Sequence, residues 1–198
     1  MIDDGTNLMP LPSKTDSFFN KSSESWNDAL LDSYSKNWSV YTVGYKNAGD
    51  ILVERVIEKG HSQDLLVFPI MFLYRQYLEL ALKGIIRDAS KLLKSKPACR
   101  MDRHNLPNLW DECYRLLVEL FPNDSEEELK NIGRLMIELS KIDESSFAFR
   151  YPENNKQEPT LNNIDRINLR NVKGVIEKIS ILLCGADAMI DICQSASP

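Results

Sequence analysis

Histidine is nearly missing from this chain: 198 residues hold two, His61 and His104. The four cysteines, Cys99, Cys113, Cys184 and Cys193, never fall in a CxxC spacing. Together these scarcities exclude a zinc cluster, which needs four thiolate or imidazole ligands at close spacing. No metal and no cofactor are expected. Glycine (8) and proline (9) are also sparse and sit mostly near the termini or between periodic segments. That is helical punctuation, and it excludes the frequent turns of a β-sandwich. No internal repeat and no sustained strand-like alternation occur. Positive charge is in deficit, with 24 Lys and Arg against 29 Asp and Glu, a net charge of −5 and a pI near 5.2. An acidic domain has no general attraction for phosphate backbones. The opening "MIDDGTNLMPLPSKTD" lacks the basic and apolar regions of a signal peptide. No apolar run reaches the roughly 18 residues of a membrane span. The expectation is a soluble, cytoplasmic, reduced protein without membrane contact. Its Cys184 and Cys193 should lie buried as free thiols in an apolar C-terminal helix.

What is present is ordinary globular composition, 43% hydrophobic and 27% charged, in a length that suits one domain. Residues 1–22 read as an arm and 23–198 as a helical domain. Within "SSESWNDALLDSYSKN", Trp26, Leu30 and Tyr34 recur every four residues and predict a first short helix after a Ser-rich cap. The next helix should bury Val40, Val43, Ala48, Leu52 and Val56 and stop at Gly60. Asp64 is a candidate cap for the longest helix, with Pro69 in its early turns. From Phe68 to Leu93 that segment is apolar on nearly all sides, so it belongs at the centre of the fold. A helix carrying Leu109, Cys113, Leu116, Leu117 and Leu120 follows, with Asn105 as cap and Pro122 beyond its end. Ser125 and Glu128 form a capping-box pattern for the next. About 20 residues from "ESSFAFRYPENN" onward break helical periodicity, and a loop of that length is often functional. A last helix runs through Leu169, Val172, Ile176, Ile179, Leu183 and Ala186. The fold class is all-α, a single-domain bundle of five or six helices.

The order of the blocks "FPIMFLYRQYLELALKGII", "RHNLPNLW", "IDESSFAFRYP" and "IDRINLRNV", across roughly residues 36–190, resembles a bacterial family of HEPN-like helical proteins. In HEPN domains a helix of "EKALKALL" type packs beside one opening with H-D/N-L, and "LELALKGII" with "HNL" matches that pair. The resemblance implies one of two activities. Many HEPN proteins are metal-independent ribonucleases with an Arg-x4–6-His motif acting in a dimer cleft. Others lack the motif and serve as binding or regulatory modules in toxin–antitoxin and defence systems. Here Arg55 and His61 have the spacing, but Gly60 separates them, and Arg100 and His104 are one residue too close. The nuclease motif is therefore not expected, and an enzyme is disfavoured.

Candidate site residues follow from charge placement. Arg75, Glu79 and Lys83 fall four residues apart, one stripe on a helix face. The stripe either lines a cleft that grips an anion or forms an internal ion-pair network bridged by Glu79; buried charge persists only when paired, which favours the network. In "FAFRYPE", Phe147 and Phe149 can anchor a loop, and Tyr151 is held extended by Pro152. Arg150 then either recognises a carboxylate or phosphate or ties the loop to a bundle carboxylate. His104 beside a helix N-terminus is a neutral hydrogen-bond partner or, with Arg150, a catalytic pair. Arg100, Arg103 and His104 after Lys91, Lys94 and Lys96 make the one basic concentration, touching RNA or simply solvated. The acidic "NDSEEE" is suited to a basic partner surface. The leading expectation is a non-catalytic HEPN-like binding module with a protein partner, toxin-neutralising or defence-associated, as a homodimer. The alternative is a metal-independent ribonuclease or an RNA- or nucleotide-binding protein. The expected ligand or partner contacts are Arg75, Glu79, Lys83, Arg103, His104, Arg150 and Tyr151.

Overall fold

The computed structural model describes residues 11–19, 25–33, 35–122 and 126–196. Among them are five α-helices and no multi-residue strand: α1 (Trp38–Lys59), α2 (Gln63–Leu92), α3 (Leu106–Leu120), α4 (Glu126–Ile142) and α5 (Leu169–Ala196). The chain is all-α, as its punctuation implied. α2 is the central helix, packed by α1, α3 and α5, while α4 rests on α3. Its buried residues include Ile70, Tyr74, Leu78, Leu82, Ile85, Ile86 and Ala89, recurring on several sides of the helix. α1 turns back onto α2 at Gly60, whose left-handed φ of 66° closes the helix. Close approach is built in at two glycines: a Cβ at Gly49 would fall 2.8 Å from the Tyr74 ring, and one at Gly133 2.7 Å from Trp110 Nε1. α1 runs alongside α5 in the opposite direction. Lys173 pairs with Glu54 at 3.1 Å, and further along Trp38 and Val43 share a groove with Cys184 and Asp187.

Several sequence expectations are corrected. The helix read from Trp26, Leu30 and Tyr34 is reduced to a 3-10 turn, Ser25–Asn27, and regular structure starts only at Trp38; Tyr34 lies outside the described residues. Leu30 and Leu31 stay exposed, and an isolated short helix with no surface to bury against does not hold. Val40 and Val43 also face outward on α1, whose buried stripe is Gly49, Val53 and Val56. Gly49, not Val40 or Val43, meets Tyr74 of α2, and Val56 is buried as expected. Ser62, not Asp64, takes the α2 N-cap position, its carbonyl accepting from Leu66 N–H at 2.9 Å. Because α2 begins at Gln63, Pro69 lies beyond the first turn. The Leu65 carbonyl that Pro69 cannot serve belongs to an exposed residue, so solvent can take the place of the missing donor. Ser125 of the expected capping box is outside the described residues.

The cysteine expectation fails in part. No disulfide joins the four cysteines, but Cys184 is exposed, Cys193 half-buried, and only Cys113 is in the core. The apolar residues of α5 encircle it more widely than its contact with α2 requires, which leaves Cys184 exposed at the edge beside α1. One described helix, α2, is long and apolar enough on average to cross a membrane. Mean hydropathy tolerates the charges that interrupt a strict apolar run. In the fold α2 is the packed centre, and its charges are paired internally.

Candidate functional site

The i, i+4 spacing of Arg75, Glu79 and Lys83 puts all three on the α2 face turned toward the start of α3, and all three are buried. Glu79 is the hub. Its Oε2 accepts from Arg75 Nη1 at 3.2 Å, and its Oε1 accepts from Lys83 Nζ at 2.8 Å. The third donor is His104, whose Nδ1 lies 2.7 Å from Glu79 Oε1. A carboxylate only accepts, so Nδ1 carries the proton in this bond. Arg75 Nη2 donates to the backbone carbonyl of the same His104. The lead-in to α3 is thereby clamped at one residue by two side chains of α2. Asn105 completes the clamp, its side chain accepting from Asn108 N–H at 2.9 Å as the α3 N-cap.

Burial alone would raise the Glu79 carboxyl, but the hydrogen bonds from Lys83 and His104 outweigh it and hold the group below the ordinary carboxylate range. Burial pulls the Arg75 guanidinium down; Glu79 and Asp143 work against that pull, and the positive charge of Arg150 adds to it. Asp143, which the sequence reading missed, is buried at the end of α4. It accepts from Phe147 N–H at 2.6 Å and Ala148 N–H at 3.0 Å. The signal was available: an Asp directly after a helix and ahead of turn residues supplies this local bond.

Arg150 joins the cluster electrostatically without an ion pair. Its Nε donates to Ser146 O at 2.5 Å, and its guanidinium stacks 5.7 Å from the centroid of Phe72, one turn before Arg75 on α2. No carboxylate among the described residues pairs with it, so the loop is held to the bundle by the Phe72 ring and not by an ion pair. Phe149 anchors the loop in the core. Phe147 stacks instead on Tyr151 at 4.5 Å, and that half-exposed pair forms the loop's outer edge. Arg103 is exposed beside His104, and Arg100 pairs with Asp102. The Arg55–His61 pair does not share a helix: His61 lies beyond Gly60 and bonds Ser62 Oγ at 2.7 Å.

The arrangement can do two things chemically. It fixes the α3 lead-in, and it orients an imidazole whose side chain is 59% exposed against 3% for Glu79. A buried carboxylate bonded to Nδ1 leaves Nε2 of a neutral imidazole as the outward acceptor. Among the described residues no group of three His, Cys, Asp or Glu is placed to hold a metal ion. No family model, curated protein or solved structure matches the chain.

Proposed function

We propose that this chain is a non-catalytic helical binding module that acts through a protein partner, of the HEPN-like, toxin-neutralising or defence-associated kind. The observation that carries the reading is large apolar side chains left exposed in two described stretches ahead of a well-packed bundle: Phe18 is 101% and Phe19 93% exposed, and Leu30 and Leu31 are exposed as well. A folded chain seldom leaves several large apolar side chains in solvent in such stretches unless a partner covers them. The charged stripe is poorly placed as an anion grip in the same state, because Arg75 Nη1, Arg75 Nη2 and Lys83 Nζ already donate to Glu79 and the His104 carbonyl and the one unpartnered donor, Arg75 Nε, is buried. Support for the HEPN-like reading is that "LELALK" and "HNL" lie side by side, joined through Glu79 and His104. The acidic charge suits a basic target, as many nucleic-acid-directed toxins are.

The test compares native-source affinity capture by the full chain with capture by a Phe18→Ser/Phe19→Ser variant, then repeats binding with the purified candidate. A partner held by the native chain and released by the variant supports the reading. Equal retention by both removes it.

A second reading, a metal-independent ribonuclease, is favoured by one observation, the outward His104 imidazole oriented by Glu79. Labelled RNA incubated in EDTA with native, His104→Ala and Arg150→Ala chains distinguishes it. Cleavage lost in both variants would replace the partner reading; intact RNA leaves it standing.

A further inference from the structure

The outer face of α5 is apolar and uncovered. Ile181 is 74% and Ile192 68% exposed, Met189 and Cys184 lie beside them, and Gly185 and Ala188 form a flat centre, with open space where a Gly185 Cβ would stand. At 1.5 Å per residue the face from Lys178 to Ser195 is roughly 26 Å long, about five turns. Ile181, Gly185, Ala188 and Ile192 recur at steps of four, three and four, which keeps them on one face of the helix.

We propose that this face is covered by α5 of a second copy of the chain, the two helices lying antiparallel about a twofold axis. The argument is self-complementarity. Reversing α5 about the midpoint between Ala186 and Asp187 sets Ile181 of one copy on Ile192 of the other. The same reversal sets Gly185 on Ala188 at the centre. A twofold interface must match itself residue for residue in this way. The small central residues let the axes approach to about 8 Å, and the isoleucines close both ends.

Charge agrees with the register. Lys178 falls opposite Ser195 of the second copy, against the last turn of its α5, where the helix carries partial negative charge. Lys178 is exposed and makes no ion pair among the described residues of its own chain. The neighbouring α1 adds exposed Val43 and Ile51 to the same molecule's outer surface. The pairing does not depend on the N-terminal apolar segment and goes beyond the partner reading.

The register makes an exchange test possible with the full-length chain, read by sedimentation velocity with circular dichroism as a folding control. The native chain is expected to be a dimer. Ile181→Lys alone and Ile192→Glu alone each put a charge against an isoleucine and should weaken the dimer at least tenfold. Mixing the two single variants sets the introduced lysine of one copy against the introduced glutamate of the other at one end. The opposite end then keeps isoleucine against isoleucine, so the dimer should return. The double variant should also dimerise, since both ends then pair opposite charges. A monomeric native chain, whether its α5 face is bare or covered by its own N-terminal segment, overturns the proposal. A dimer indifferent to the single substitutions overturns it too. Single variants that stay monomeric after mixing refute the antiparallel register.

Discussion

A carboxylate stripped of water in the middle of α2 is tolerated because three donors converge on it. Removing it strands Arg75, Lys83 and the His104 imidazole around a void, so Glu79→Ala should cost on the order of 3–5 kcal/mol in a denaturant titration. A change below about 1 kcal/mol would show that the cluster is hydrated in solution. His104→Ala, a substitution at a mostly solvent-facing side chain, should cost much less, because Arg75 holds the His104 backbone carbonyl and not its ring. The same site sets a pH dependence. The folded Glu79 carboxyl titrates below its unfolded value of 4.5, so the unfolded chain binds the proton more tightly. Its contribution is complete above about pH 4.5 and is lost as pH falls through the lower folded value. Urea midpoints measured from about pH 6 downward should therefore fall more steeply for the native chain than for Glu79→Gln; parallel curves would remove Glu79 from the acid response. The stripe itself was legible in sequence, because i, i+4 spacing fixes a face. The His104 bond was not: 25 residues separate it from Glu79, and nothing local says how the 93–105 connection folds back. Arg150 was recognised as a held guanidinium, but its seat on Phe72 is a tertiary contact that no spacing encodes.

At the scale of elements, termination signals translated well and faces did not. Gly60, Asn105 and the Pro122 boundary act through backbone conformation or local bonds, so a few residues suffice to read them. Which side of α1 is buried depends on what α2 presents, and Tyr74 there demands a glycine opposite. The first helix failed for the complementary reason: periodic Trp26 and Leu30 express a preference, but helix formation also needs a surface to cover. Two substitutions test this view. Asn105→Ala removes the side chain that caps α3 and should cost about 1 kcal/mol. Gly133→Ala places a methyl against the Trp110 ring, which is itself 3% exposed and has little room to retreat. It should destabilise by about 1–3 kcal/mol despite the better helix propensity of alanine. A stabilising result at Gly133 would mean that α4 shifts freely on α3.

At the scale of the molecule, the core and the proposed binding segment are separable. Every buried apolar residue of the core cluster lies at or beyond Val53. The described residues before Trp38 contribute none of them. Deleting residues 1–33 should therefore leave the unfolding free energy within about 0.5 kcal/mol of the full chain, the range of surface changes. A partner that needs Phe18 and Phe19 should be lost in the same deletion, while the α5 pairing, which uses no residue before Lys178, should persist. Sedimentation, denaturation and partner binding on one truncated chain thus report three independent quantities. Destabilisation by the deletion would mean that the segment packs on the bundle in solution, and its exposed phenylalanines would then belong to the fold and not to a partner. Retained stability with retained dimerisation and lost partner binding is the pattern expected of a bundle whose N-terminal segment and outer α5 face carry separate associations.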